Sequence, residues 1–143
     1  MKQITVAVVL DDDEGMMFFG KRQSRDRVLI EELISSSENT PIYIHPYSKL
    51  LFPDLSRVTV SDDPLHDCPD GGTVFVEHLP LTPHLGDIGK MIVYRWNRLY
   101  PSDKKFDIDL ARCGFTRLSL SEFPGSSHDK ITKEVYRKDT NTK

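Results

Sequence analysis

Residues 3–17 read "QITVAVVLDDDEGMM", and this stretch decides the fold. From Ile4 to Leu10 every side chain is apolar or β-branched. A strand with one wet face alternates in polarity, so an unbroken run of this kind predicts a strand covered on both faces. The run is too short for a membrane span, it stops at four consecutive acids, and no small-residue cleavage site comes after it. It is therefore expected to be neither a membrane segment nor a signal peptide. Gly15 punctuates the next loop.

Working outward, "RDRVLIEELI" carries apolar residues at 28, 29, 30, 33 and 34, one helical face, with Ser24 placed to cap it. A polar turn, Ser35 to Asn39, ends that helix. Strands are predicted at "PIYIH" (41–45), "RVTVS" (57–61), "TVFVE" (73–77) and "KMIVYRWN" (90–97). Between them lie a brief helix at "YSKLLF" capped by Ser48, a loop "DDPLHDCPDGG", and a short helix or turn at "LTPHLGDIG". "FTRLSLSEF" (115–123) and "KITKEVYRK" (130–138) alternate in polarity and predict an antiparallel pair joined by "PGSSHD". The sum is an α/β fold: a mostly parallel central sheet, helices on both faces, and an antiparallel C-terminal hairpin. Residues 1–138 are expected to form one domain, and 139–143 a flexible tail.

The net charge of −3 argues against general nucleic-acid binding, which needs a basic face. The cysteines, Cys68 and Cys113, stand in no metal or redox spacing, so a reduced cytoplasmic protein with incidental thiols is the default and no metal is expected; that no cofactor is expected follows from the departures described below. Local chemistry is more pointed. Lys21, Arg22, Arg25 and Arg27 gather where a helix begins, although a helix N-terminus already carries partial positive charge. An anion on the free backbone N–H groups would explain them. Alternatively Asp11, Asp12, Asp13 and Glu14 neutralise them as surface pairs.

In "YRWNRLYP" strand alternation sends Tyr94, Trp96 and Arg98 to one face and Arg95, Asn97 and Leu99 to the other. That arrangement either clamps a planar, charged ligand or supplies core aromatics flanked by paired arginines. Glu77 and His78 end a strand, the usual ligand side of an α/β sheet, near His45 and Tyr47. As neighbours they point to opposite faces, so only one joins His45 and Tyr47 unless the chain turns there. "SSHD" (126–129) holds the residue types of a hydrolase triad, but side by side, which fits a loop cap better than catalysis. "HDC" (66–68) with His78 or His84 lacks the tight ligand pairing of zinc sites.

The order of elements resembles the dihydrofolate reductase fold over nearly the whole chain. "ITVAVVL" runs into "DDDEGMM", the helix opens at "QSRDRVLIEEL", "IYIHPYSKLLF" stands where the family has strand, turn and helix, and two antiparallel strands close the chain. The resemblance places Asp26 near the family's substrate-binding carboxylate and makes it the candidate catalytic residue. The family also needs glycines after its fifth strand for the cofactor pyrophosphate, and here "VFVEHLPLTPHL" has none. His45-Pro46 replaces the family's Gly-Arg pair, and only Ser48 keeps a family-like cap. Taken with these departures, the resemblance implies a dihydrofolate reductase-like domain without an intact NADPH site, binding a small anionic ligand or a protein partner. The residues expected to carry this are Arg22, Arg25 and Arg27, with Tyr94, Arg95, Asn97 and Arg98, and with His45, Tyr47, Glu77 and His78. A divergent NADPH-dependent reductase or nucleotide-processing enzyme is the alternative, and a purely structural module the third reading. "GMMFF", "RQSRDRVL", "YRWNRLYP" and "GSSHDKITKEVY" are also similar to small bacterial proteins sometimes labelled ribonuclease Z, but that enzyme's His-x-His-x-Asp-His spacing does not occur here.

Overall fold

The computed structural model describes residues 2–139. In chain order these form β1 (Ile4–Leu10), β2 (Gly15–Phe18), β3 (Lys21–Arg22), α1 (Arg27–Ser36), β4 (Ile42–Ile44), β5 (Val58–Val60), α2 (Pro64–Asp67), β6 (Thr73–Phe75), β7 (Ile88–Arg95), β8 (Lys104–Lys105), β9 (Phe115–Phe123) and β10 (Ile131–Lys138). Short 3₁₀ turns lie at Pro46–Leu51, Leu55–Arg57 and Thr82–Asp87.

Seven strands make one sheet in the order β5-β4-β6-β1-β7-β10-β9. The five from β5 to β7 run parallel, β10 is antiparallel to β7, and β9 is antiparallel to β10. β1 lies at the centre, and its side chains part as the sequence requires. Ile4, Val6, Val8 and Leu10 enter one core with Leu65 of α2, Val74 and Met91. Ala7 enters the other, with Leu29, Ile30 and Leu33 of α1, Phe75, Ile92 and Tyr94. Burial of each such side chain contributes about 1.5–3 kcal/mol, enough to fix which face of α1 turns inward.

Asp26, not Ser24, caps α1: its carboxylate accepts from the N–H groups of Val28 and Leu29. Both residues are good cap types, and Asp26 takes the place because the backbone of Ser126 and Ser127 donates to it as well. The turn at Pro46–Leu51 is capped by His45, whose ring accepts from the Tyr47 N–H, leaving the Ser48 hydroxyl free to point elsewhere. Part of the loop "DDPLHDCPDGG" is the short helix α2. A second sheet, β3-β2-β8, packs beside the first and was not legible in the sequence because its strands are only two to four residues long. Of the expected tail, all but Asp139 lies outside the described residues. No helix among the described residues is long and apolar enough to cross a membrane.

Candidate functional site

The C-terminal ends of β1, β4 and β6 face the start of α1 and the loop between β9 and β10, and the chemistry-bearing residues collect there. Asp26 is the hub. Its side chain is fully buried. Oδ1 accepts from Val28 N, Leu29 N, Ser126 N and Ser126 Oγ, and Oδ2 accepts from Ser127 N at 2.8 Å and from His128 Nδ1 at 3.1 Å. Burial pushes the Asp26 carboxyl up, but the N–H groups of Ser126, Ser127 and Leu29 and the His128 ring outweigh it and hold the pKa at about 2. Gly125 is required for this approach, since a Cβ there would stand 2.3 Å from Asp26 Oδ2. His128 continues the chain of contacts: its Nε2 lies 2.8 Å from the Tyr100 hydroxyl and its ring stacks on Trp96 at 4.3 Å. "SSHD" is thus a loop docked on a carboxylate 100 residues away, and Asp26 is an ionised clamp with its acceptor positions filled.

The backbone N–H groups at the start of α1 are therefore occupied by the chain itself, with Arg27 N donating to Ser126 Oγ. The acids after β1 do not neutralise the cations near α1. Asp11 is buried and accepts from the backbone of Asp13, Gly15 and Tyr100 and from the Gln23 side chain, while Asp13 pairs with Lys105 and Glu14 with Arg95. The cations separate instead. Arg27 pairs with Glu31 one turn along the exposed helix face. Arg22 turns inward and meets Glu77 with two contacts, Nε to Oε1 at 2.7 Å and Nη2 to Oε2 at 3.0 Å. It also donates to the Tyr47 carbonyl and lies 4.4 Å over the Tyr47 ring. Glu77 chiefly, through this hydrogen bond, raises the Arg22 pKa further above its already high value.

Ser48 Oγ donates to Glu77 Oε2 at 2.6 Å, which is where the hydroxyl released from capping goes. His78 packs edge-on against both His45, at 4.7 Å between ring centres, and Tyr47, at 5.2 Å. Glu77 and His78 both reach this cluster because β6 ends at Phe75 and the chain bends at 77–78, so strand alternation no longer applies. Burial, then the adjacent His45, lowers the His78 pKa, and His78 Nδ1 is buried without a hydrogen-bond partner.

The group at 94–98 is not brought together. Tyr94 and Trp96 do share a face, but Tyr94 is wholly buried beneath α1 and donates to Glu32 Oε1. Arg95 is held by Glu14 and Glu134, and Asn97 donates to the Lys130 carbonyl and Thr132 Oγ1. Arg98 leaves the Tyr94 face because β7 stops at Arg95 and Asn97 takes a φ of 60°; it lies exposed, 5.8 Å from the Tyr100 ring centre.

Arg25 is exposed and has no ion-pair partner among the described residues, yet it borders three adjoining hollows. The innermost is a small crevice of about 30 Å³ between Val9, Met16, Leu29, Phe75 and Trp96, with Arg22, Asp26 and Glu77 at its edge. An open groove of about 310 Å³ runs between Arg27, Ile30, Leu50, Leu51, Pro53 and Ser126. A third, of about 530 Å³, lies among Lys21, Ser24, Tyr47 and Ser127.

One solved structure superimposes over 96% of this chain and 96% of its own, with a TM-score of 0.67 and 8% sequence identity: dihydrofolate reductase from Enterococcus faecalis complexed with NADP(H) and RAB-propyl. The fold is dihydrofolate reductase-like. At that identity the likeness carries the scaffold alone. No family model matches the chain, and no curated protein matches it. Sequence reasoning missed the Asp26–His128–Tyr100 chain and the Gln23–Asp11 contact, since nothing local marks partners 12 to 102 positions apart.

Proposed function

We propose that this dihydrofolate reductase-like scaffold serves as a binding domain for a small anionic ligand with an apolar body, and that NADPH has no place on it. Arg25 carries the reading. A solvated arginine with no partner among the described residues, bordering an apolar crevice and two open grooves, offers a charge-assisted contact to a phosphate or carboxylate whose remaining atoms lie against Ile30, Leu50, Leu51 and Pro53.

Closure of the dinucleotide position is supported by Glu77. Its carboxylate, bonded to Ser48 and Arg22, sits at the ends of β4 and β6 on the segment where a reductase of this fold keeps glycines open to a pyrophosphate. A pyrophosphate there would meet a like charge and bulky side chains instead of free N–H groups. Asp26, clamped and ionised, has no vacant position from which to serve as a proton donor at neutral pH.

Thermal denaturation against inorganic phosphate, an aromatic carboxylate, folate, a nucleotide panel and NADPH tests the reading. A ligand at 100 times its dissociation constant adds about 2.7 kcal/mol of stability. At least one anion is expected to raise the melting temperature, Arg25→Ala is expected to remove that rise while leaving the unliganded value unchanged, and NADPH is expected to have no effect. A rise with NADPH alone, or an anion response indifferent to Arg25→Ala, overturns it.

A further inference from the structure

The hairpin between β2 and β3 turns at Phe19–Gly20, where Phe18 pairs with Lys21 across a two-residue loop. Both turn residues have positive φ, 51° at Phe19 and 73° at Gly20, as a type I′ turn demands. Gly suits that geometry, whereas a bulky aromatic L residue is an outlier in it, and Asn would reach it more easily. Phe19 is nevertheless there, 76% exposed, with its ring 4.1 Å from that of Phe18. Strained backbone and a solvated aromatic ring are both unfavourable to the isolated fold, and both are explained if a partner covers the ring.

The surroundings define that partner. Phe18, Phe19, Tyr100 and Pro101 line a shallow hollow of about 290 Å³ with Lys21 at its rim. Lys21 also borders the neighbouring groove with Arg25, and Arg98 lies over the Tyr100 ring on the other flank. Among the described residues Lys21, Arg25 and Arg98 have no ion-pair partner, whereas the adjacent acid Asp103 turns its carboxylate onto the Phe19 N–H at 3.1 and 3.2 Å. Asp103 keeps its negative charge, as does the exposed Asp12 beside Arg98, so the three cations leave a cationic excess around the aromatic pair, on a chain whose net charge is −3.

We infer that the Phe18–Phe19 hairpin is a docking surface for an acidic polypeptide segment that inserts one apolar side chain beside Phe19 and sets its carboxylates against Lys21, Arg25 and Arg98. Aromatic centres ringed by charge are the usual anatomy of such anchors. The aromatic hollow and the Ile30–Leu50–Pro53 groove share no lining residue; they meet at the groove between them, which Lys21 and Arg25 both border.

Selection from a random 12-residue peptide display library on the full chain tests it, with Phe19→Asn as the decisive variant. Phe19→Asn suits the type I′ turn, so its melting temperature is expected to equal or exceed that of the parent and its small-anion response to persist. The library is expected to yield peptides with an apolar residue flanked by Asp and Glu, bound at least about tenfold more weakly by Phe19→Asn and by Lys21→Glu. No enrichment, enrichment of basic peptides, or binding indifferent to Phe19→Asn overturns the inference. So does a Phe19-dependent affinity for phosphatidylserine vesicles, or a Phe19-dependent dimer, in place of peptide binding.

Discussion

Replacing Asp26 by Asn separates a structural clamp from a catalytic carboxylate more sharply than any other single change. The amide keeps the shape and one acceptor oxygen but turns an NH2 toward either the Ser127 N–H and His128 Nδ1 or the four donors on the other oxygen. At least two charge-assisted hydrogen bonds are lost in a fully buried place, each worth about 1.5–3 kcal/mol, so a loss of about 3–6 kcal/mol is expected. For a chain of this length that is a fall of about 10–20 °C in melting temperature. The pH dependence gives an independent handle. The pKa is 3.8 in the ordinary state and about 2 in the fold, so the ionised form contributes stability that is fully present above pH 4 and is lost as pH falls toward 2. At about 1.36 kcal/mol per pH unit that contribution is about 2 kcal/mol. Urea denaturation of the parent and Asp26→Asn at pH 7, 5, 4 and 3, monitored by circular dichroism, measures both quantities. The gap between the two proteins should narrow through the acid range. A variant as stable as the parent at pH 7, or a gap that does not change between pH 5 and 3, refutes the clamp.

Other changes draw on the same contacts. Arg22→Met leaves the Glu77 carboxylate half-buried with only Ser48 bonded to it and should cost about 3–5 kcal/mol, whereas Arg22→Met with Glu77→Leu should recover most of that loss; denaturant midpoints decide. Gly125→Ala drives a methyl group against Asp26 and should lower stability by about 1–3 kcal/mol, read by thermal denaturation. Cys68 is buried, and that burial pushes its thiol pKa up to about 11, so a thiol-specific alkylating reagent at pH 8 should modify Cys113 first and Cys68 only under denaturing conditions.

The scaffold was legible where hydrophobic pattern alone sets structure. The unbroken run of β1 announced a strand between two cores, and the alternation at 115–123 and 130–138 announced the closing pair, because both patterns report burial directly. The short sheet β3-β2-β8 was invisible for the converse reason: strands of two to four residues have no period, and its turn is Phe-Gly, not Asn-Gly. At the site, His45, Tyr47, Glu77 and His78 were anticipated from strand ends, and the bend after Phe75 let both Glu77 and His78 join. Asp26 was singled out, but its engagement by Ser126, Ser127 and His128 depends on tertiary closure across about a hundred positions, which local sequence does not encode. At Tyr94 the alternation of aromatic and cationic residues fitted either a binding strand or core aromatics flanked by paired arginines, and the fold uses the ring as core and Arg95 as an ion-pair hub.

Calorimetric titration of NADPH into the purified chain is the most direct measurement of whether the dinucleotide position is closed. Side chains of Arg22, Tyr47, Ser48 and Glu77 predict no saturable heat up to millimolar cofactor, and Arg22→Met with Glu77→Leu should not create any. Saturable binding in the micromolar range, about −8 kcal/mol, would contradict the account.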